Sequence, residues 1–201
     1  MGEPRRRRRS PEVAEREILA AAEELLRERP FRDLTVDEVM RRTELSRPSF
    51  YVYFKDRHQL VLRVAERLGG EMLSLTSHWF EATGPDGASS YREALKGSVE
   101  VYHRHGPVLH ALADAATVDP EVERTYNGIM QTFIDATTKH IEEEIKAGRV
   151  LPLDAHETAR ALCLMNDRYL LMTLGRTRTA EPETVVETLA TIWNRTLYGA
   201  D

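Results

Sequence analysis

The chain has 201 residues, of which 41% are hydrophobic and 30% are charged, so it can bury a genuine core beneath a well-solvated surface. No apolar run approaches the roughly 20 residues that a membrane span needs, and the arginines near the N-terminus are not followed by the apolar stretch of a secretory signal. The lone cysteine, Cys163, excludes an internal disulfide. These features predict a cytoplasmic protein that does not enter a membrane.

The formal net charge of −5 is unevenly distributed along the chain. Residues 1–68 hold 16 basic and 13 acidic side chains, whereas residues 69–201 hold 12 basic and 20 acidic ones. The first third is therefore net positive and the remainder net negative. A basic end on an acidic body favours binding of that end to nucleic-acid phosphates and keeps the remainder away from them.

The chain begins with a basic run, Arg5–Arg9, and then shows helical periodicity almost to its end. Breaks that contain Pro or Gly separate the helical segments, and no segment of four or more residues alternates like a β-strand. The fold class predicted is all-α, with about nine helices. The predicted helices cover residues 12–29, 36–42, 47–53, 57–82, 90–104, 107–116, 120–147, 155–175 and 182–198. In the fourth of these, Gly69 and Gly70 are candidates for a kink.

Residues 35–55 read TVDEVMRRTELSRPSFYVYFK and have the order of features found in a helix-turn-helix. Thr35 and Glu38 form a capping box at the start of a short helix. Ser46 is placed to cap the next helix, and Pro48 lies in its first turn, where proline is tolerated. A helix pair of this kind places its second helix in the DNA major groove, which predicts a DNA-binding protein.

The open faces of that second helix carry side chains suited to phosphates and base edges. Apolar residues of the two helices would form the buried seam between them. They are Val36, Val39, Met40, Leu45, Phe50 and Phe54. The candidate DNA-binding residues are Thr35, Ser46, Arg47, Pro48, Ser49, Tyr51, Tyr53 and Lys55. For the basic arm three roles stay open: a minor-groove contact, a phosphate contact, or a solubilising tail.

The segment TVDEVMRRTELSRPSFYVYFKDRHQL resembles the N-terminal domain of the TetR family of bacterial transcriptional regulators. The matching residues are Thr35, Ser46, Ser49, Tyr51, Tyr53, Phe54 and Lys55. Val52 departs from the aromatic or polar residue that many members carry. The resemblance implies a helical C-terminal domain that dimerises and holds a small molecule. The division expected is a basic disordered arm over 1–10, a helix-turn-helix DNA-binding domain over 11–56, and a ligand-binding and dimerisation domain over 57–201.

Two segments near the C-terminus are apolar enough to join two subunits. Residues 161–174, ALCLMNDRYLLMTL, are apolar on nearly every face, so a helix there must be buried on two sides. The last helix carries a second broad apolar stripe, formed by Leu189, Ile192, Trp193 and Leu197. Two such helices from each subunit would form a four-helix interface about a two-fold axis. We therefore expect a homodimer joined through its last two helices.

Asn166 and Asp167 interrupt the apolar helix, and burying an amide or a carboxylate is costly unless the group is paired. Two interpretations stay open. In the first, Asp167 faces solvent or pairs with Arg168 while Asn166 satisfies a backbone group. In the second, the two residues form the polar anchor of an otherwise apolar small-molecule site.

Three further segments are similar to the ethionamide-resistance repressor branch of the TetR family. They read MQTFIDATTKHI at 130–141, LCLMNDRYLL at 162–171 and TIWNRTLYG at 191–199. This similarity implies a long apolar channel for a ligand. The residues that it places in the pocket are Tyr91, Met130, Phe133, Thr137, Cys163, Asn166, Asp167 and Trp193. From its own chemistry, Cys163 is interpreted as a small buried hydrophobe rather than a redox sensor.

These observations predict a transcriptional repressor that binds a double-stranded DNA operator as a homodimer and is released by a small hydrophobic effector. An activator, a DNA binder without an effector, and a helical ligand carrier or enzyme stay open as alternatives. No nucleophile–base pair or phosphate loop supports catalysis. His103, His105 and His110 share one region, but no carboxylate or cysteine completes a metal set there. We therefore expect no enzymatic activity, no cofactor and no metal.

Overall fold

The computed structural model describes residues 10–81 and 87–199, with side chains described for 10–80 and 91–199. The basic arm and most of the predicted loop at 84–87 lie outside the described residues. The described residues form eight α-helices and no β-strand, which confirms the all-α fold class. The helices are α1 (Pro11–Glu28), α2 (Val36–Arg41), α3 (Arg47–Tyr53), α4 (Arg57–Glu81), α5 (Gly87–Ala116), α6 (Pro120–Lys146), α7 (Ala155–Leu170) and α8 (Pro182–Tyr198).

Local capping sets the start of α2 but not that of α3. Oγ1 of Thr35 accepts the backbone N–H of Glu38 at 3.3 Å and donates to the Glu38 carboxylate at 2.8 Å, so a capping interaction forms. The Ser46 side chain makes no cap, because its hydroxyl pairs with the Ser49 hydroxyl at 2.9 Å. The prediction that the Ser46 side chain caps α3 is therefore wrong, although the helix begins where it was expected.

The predicted break at Gly106-Pro107 does not occur, and the helices expected over 90–104 and 107–116 are one helix, α5. Pro107 has no N–H for the carbonyl of His103, and that oxygen accepts from the Arg178 guanidinium at 3.1 Å instead. Gly106 serves a close approach rather than a turn. A Cβ there would overlap the carbonyl oxygen of Leu174 and lie 2.8 Å from that of Gly175. The nine helices expected are therefore eight in the described ranges.

The described helices share one continuous apolar core that extends from α1 to α8. Of the predicted seam, Val39, Met40, Phe50 and Phe54 are buried in it, whereas Val36 and Leu45 are partly buried at its edge. α4 packs against α1, α5 and α6, and α5 also contacts α8 and a π-helical turn over Leu171–Gly175 that follows α7. None of the helices in the described ranges is long and apolar enough to cross a lipid bilayer.

The first turn of α4 is tied to its surroundings by two side chains. Arg57 Nη1 donates to the carbonyl oxygens of Arg32 at 3.1 Å and Leu34 at 2.9 Å, just before α2. His58 Nδ1 lies 2.5 Å from Oδ2 of Asp119, the residue that caps α6. The start of α4 therefore contacts both the helix-turn-helix and the beginning of α6.

Farther along, α4 continues without interruption through Gly69 and Gly70. Gly69 lies against α6, since a Cβ there would be 2.9 Å from Cγ2 of Ile129. Gly70 is exposed, with no atom within 4 Å of the corresponding position. A Cβ at position 69 would therefore crowd α6, whereas one at position 70 would not.

Candidate functional site

One face of α3 is open to solvent. The exposed residues are Arg47, Pro48, Tyr51 and Val52. Arg47 and Tyr51, and likewise Pro48 and Val52, are four residues apart and so lie one above the other on the helix surface. Phe50 is fully buried on the other side, and Ser49 and Tyr53 are half-buried beside it. The exposed face of α3 is therefore free to enter a groove, with Ser49 and Tyr53 at its margins.

Arg47 is held in place before any DNA is bound. Its guanidinium forms an ion pair with Asp37 of α2 and lies 5.6 Å from the ring centre of Tyr51. The hydrogen bond to Asp37 raises the pKa of Arg47, so the side chain stays charged. Exposed ion pairs of this kind contribute little free energy. A phosphate or a guanine edge can therefore displace Asp37 without a large penalty.

The remaining predicted DNA-binding residues differ in how far they are already engaged. Thr35 and Ser46 are exposed, but their hydroxyls are paired with Glu38 and Ser49. Lys55 is exposed just after α3, and no acidic oxygen in the described part of the chain lies within 4 Å of its ammonium group. Lys55 is therefore available to neutralise a phosphate as the protein stands.

Val52, for which the sequence indicated no role, is 76% exposed and lies next to Tyr51 on the exposed side of α3. A large apolar side chain in this position gains nothing from the protein's own core. Its exposed placement could have been inferred from the burial of Phe50 and Phe54 at spacings of two from Val52, since residues two apart do not share a helix face.

An apolar cavity of about 120 Å³ lies among α4, α5, α6, α7 and α8. All eight residues that the resemblance placed in a ligand pocket line it. They are Tyr91, Met130, Phe133, Thr137, Cys163, Asn166, Asp167 and Trp193. One water needs roughly 10–15 Å³ of such space, so the cavity has room for a small molecule. That these residues bind a ligand stays a prediction.

Asn166 is fixed between two aromatic side chains. Its Nδ2 donates to the Tyr91 hydroxyl at 3.3 Å, and its Oδ1 accepts from Nε1 of Trp193 at 3.0 Å. The two rings are stacked, with their centres 4.3 Å apart. The amide is therefore satisfied by side chains, and the interpretation that it satisfies a backbone group is wrong. Asn166 instead sets the position of an aromatic wall.

Asp167 accepts two hydrogen bonds on the same oxygen. Tyr102 donates to Oδ1 at 2.8 Å and Tyr126 donates to it at 2.7 Å. Burial, and then the negative charge of Asp167, raise the pKa of both phenols well above the ordinary value, so both remain neutral donors. The carboxylate forms no ion pair with Arg168 or any other cation in the described part of the chain. The interpretation that pairs it with Arg168 is therefore wrong.

The cavity is also lined by residues that the sequence did not indicate, among them Trp79, Tyr102 and Tyr126. Trp79 projects from α4, is almost fully buried, and packs edge-to-face against both Tyr91 and Trp193. The two tyrosines lie 65 and 41 residues from Asp167 in the chain. No local pattern connects them with Asp167, and only the folded structure brings them together.

Cys163 behaves as the buried residue that was expected. It is buried, and its Sγ lies 3.6 Å from Oγ1 of Thr137. Burial raises the pKa of the thiol to about 11, so little of it is thiolate near neutral pH. In the ranges that the structure describes, no group of three or more His, Cys, Asp or Glu residues is arranged to hold a metal ion.

His140 gives stability a pH dependence. It is 2% exposed, its ring lies 4.2 Å from that of Trp79, and its buried Nε2 has no hydrogen-bond partner among the described residues. Burial lowers its pKa, against the opposing effect of Glu144 and Glu143. The unfolded chain therefore takes up a proton below about pH 6.5 that the folded chain resists, so stability falls as the pH falls below that value. Urea unfolding at pH 7.5 and 5.5 should show this loss.

The comparison variant is His140→Gln, which is expected to reduce the difference between the two pH values. Part of the difference should remain, because burial also lowers the pKa of His105. His156→Gln, which changes an exposed histidine on α7, serves as the matched control and should leave the difference unchanged. An equal pH response in wild type and His140→Gln would contradict this assignment.

Comparison with known proteins identifies both parts of this arrangement. Residues 18–64 match the model for bacterial regulatory proteins of the tetR family. Residues 91–199 match the model for the C-terminal domain of the transcriptional regulator EthR. The chain belongs to the TetR family of helix-turn-helix transcriptional regulators and carries an EthR-type C-terminal domain. The family is not enzymatic, which confirms that prediction.

Individual relatives extend over nearly the whole chain. The HTH-type transcriptional regulator EthR of Mycobacterium tuberculosis (strain ATCC 25618 / H37Rv) is 33% identical over 204 residues, which cover 98% of this chain and 94% of the relative. That of Mycolicibacterium smegmatis is 30% identical over 201 residues, with 98% and 93% covered. The TetR-family regulator PfmR of Thermus thermophilus has the same fold, with a TM-score of 0.72 at 13% identity, 92% of this chain and 98% of that chain being covered.

Proposed function

We propose that this protein is a homodimeric transcriptional repressor that leaves its operator when a small hydrophobic effector fills the cavity. The observation that carries the proposal is the position of α4. Its first turn supports the helix-turn-helix through Arg57, and its later turns line the cavity. The cavity-lining residues of α4 are Ala65, Gly69, Met72, Thr76, Trp79 and Phe80. A ligand that displaces these residues would move the DNA-reading helix.

A second contact supports the same coupling. His58 of α4 and Asp119 at the start of α6 lie within hydrogen-bond distance, and α6 lines the cavity with Met130 and Phe133. Movement of α6 around a ligand would therefore act on the same end of α4. Release of DNA requires the effector to bind the non-binding conformation more tightly than the binding one, because equal affinity for both would shift nothing.

On the DNA side, we propose that the eight predicted residues and Val52 form the interface. Arg47 would reach a guanine edge or a phosphate, and Lys55 and the tyrosyl hydroxyls would contact phosphates. Val52 would lie against a thymine methyl group. Two copies of α3 on a two-fold dimer would read half-sites about 34–36 Å apart in a near-palindromic operator. Such a protein would act in the cytoplasm, where the DNA is.

The homodimer would form through α7, the π-helical turn that follows it, and α8. Three large apolar side chains on this part of the surface are well exposed in the single chain: Leu164 (49%), Met172 (56%) and Ile192 (37%). Large apolar side chains exposed on one part of a surface are a feature of many protein–protein interfaces. The acidic C-terminal body would then lie away from the DNA, with both copies of α3 directed toward it.

The experiment is a fluorescence anisotropy titration on an operator fragment identified by genome-wide footprinting. Wild type should bind at moderate salt and be released by compounds that raise its thermal unfolding midpoint. Arg47→Ala should weaken operator binding by about 10-fold or more while it retains the ligand-induced shift. Arg124→Ala, a change of an exposed arginine on α6, should bind like wild type. Compounds that stabilise the protein without weakening operator binding would overturn effector release.

A further inference from the structure

The cavity contains one unbalanced charge. Asp167 is the only Asp, Glu, Lys, Arg or His among the described residues that line it. Its Oδ1 is satisfied by two phenol hydroxyls, whereas its Oδ2 has no hydrogen-bond partner in the described part of the chain. No Lys, Arg or His nitrogen of the described residues lies within 4 Å of it. Asp167 is half-buried, and Oδ2 is not one of the fully buried unpaired atoms of the described residues, so this oxygen is accessible to an incoming donor.

Other polar groups of the cavity do not offer the same opportunity. Asn166 already uses both ends of its amide on Tyr91 and Trp193. The Thr137 hydroxyl is close to the Cys163 thiol, and the Thr76 hydroxyl donates within α4. Ser98 also lines the cavity, but its hydroxyl carries no charge. The free acceptor of Asp167 is therefore the strongest point of attraction for a ligand, and it attracts a donor that carries positive charge.

We propose that the effector of this protein carries a protonated amine, which pairs with Oδ2 of Asp167, on an apolar body that fills the rest of the cavity. The rings of Tyr102 and Tyr126 are held beside the carboxylate by their hydroxyl groups, and aromatic rings also attract cations. Trp79 and Phe133 supply apolar walls for the body of the ligand. This inference rests on the proposed function, since it specifies the chemical class of the effector in the same cavity.

The test compares three compounds that share one body and differ in charge: 4-phenylbutylamine, 4-phenyl-1-butanol and 4-phenylbutyrate. Binding to the full chain is measured by isothermal titration calorimetry at pH 7. The amine should bind at least about tenfold more tightly than the alcohol, as expected for a hydrogen bond to a charged group. The carboxylate should bind more weakly than the alcohol, because it meets a like charge in an apolar site.

Asp167→Asn removes the charge and keeps an oxygen that can accept from both tyrosines. It should reduce the preference for the amine over the alcohol to within about twofold. Asp135→Asn makes the same change of charge on the exposed face of α6 and should keep the full preference. If Asp167→Asn does not fold, the three compounds on wild type still decide, because their order of affinity is itself the prediction.

The inference is overturned if the alcohol binds as tightly as the amine, if none of the three compounds binds, or if folded Asp167→Asn retains the preference. Operator anisotropy with the same compounds separates this outcome from failure of the proposed function. Release by a neutral compound without amine preference would remove the inference and leave effector release standing. If the amine binds preferentially but operator affinity does not change, the inference about the ligand stands and effector release is removed.

Discussion

A Leu164→Glu, Met172→Glu double variant is expected to be monomeric and to bind the operator at least about 100-fold more weakly than wild type. Both residues are about half exposed in the single chain, on the surface assigned to the homodimer. Carboxylates there would be buried without partners on association, which is strongly unfavourable. A monomer presents one α3 to one half-site, so it loses the gain in affinity that comes from holding a second α3 nearby.

Multi-angle light scattering after size exclusion measures the first effect, and operator anisotropy measures the second. Wild type should have twice the chain mass of 23.0 kDa and the variant should have the chain mass. The matched control is Val118→Glu, Leu151→Glu, which adds the same charge at two exposed apolar positions outside α7 and α8. If the double variant stays dimeric, the dimer interface lies elsewhere on the surface. If it is monomeric but binds the operator as tightly as wild type, the proposal that a dimer binds two half-sites is contradicted.

The DNA-reading element shows how far local signals reach. Local features predicted the bounds of α2 and α3 to within one residue. They are the capping box at Thr35, the proline at position 48, and the apolar residues Phe50 and Phe54, which are buried. The side chain of Ser46 could not be predicted in the same way, because its hydroxyl had two partners within reach. It bonds to Ser49 rather than to the backbone.

The cavity shows what local signals miss. The chemistry of the chain alone singled out Asn166 and Asp167, because polar residues in an apolar helix need partners. The other six predicted lining residues came from resemblance. The partners of Asp167 are distant in the chain, so nothing in the sequence around residue 167 distinguishes a carboxylate held by two tyrosines from one paired with Arg168. The folded core decides between them.

Gly106→Ala is expected to destabilise the fold by about 3 kcal/mol or more, the upper range for overpacking. Glycine to alanine in a helix normally stabilises, by roughly 0.5–1 kcal/mol. Here the added Cβ would overlap the carbonyl oxygen of Leu174 and lie 2.8 Å from that of Gly175. These are backbone atoms of the π-helical turn, which cannot rotate away as a flexible side chain can. α5 and the turn must separate, and their packing is lost.

Gly70→Ala is the matched control, because Gly70 is exposed within α4 and a Cβ there meets nothing within 4 Å. The same substitution should therefore stabilise the protein by up to about 1 kcal/mol. Urea unfolding at one fixed protein concentration measures both variants, since a dimer's stability depends on concentration. If the free energy of unfolding falls for Gly106→Ala and rises for Gly70→Ala, then contact between helices, not helix propensity, determines where this chain needs glycine. Equal effects would mean that α5 tolerates the added methyl group by moving, and that its position beside the cavity is not fixed by Gly106.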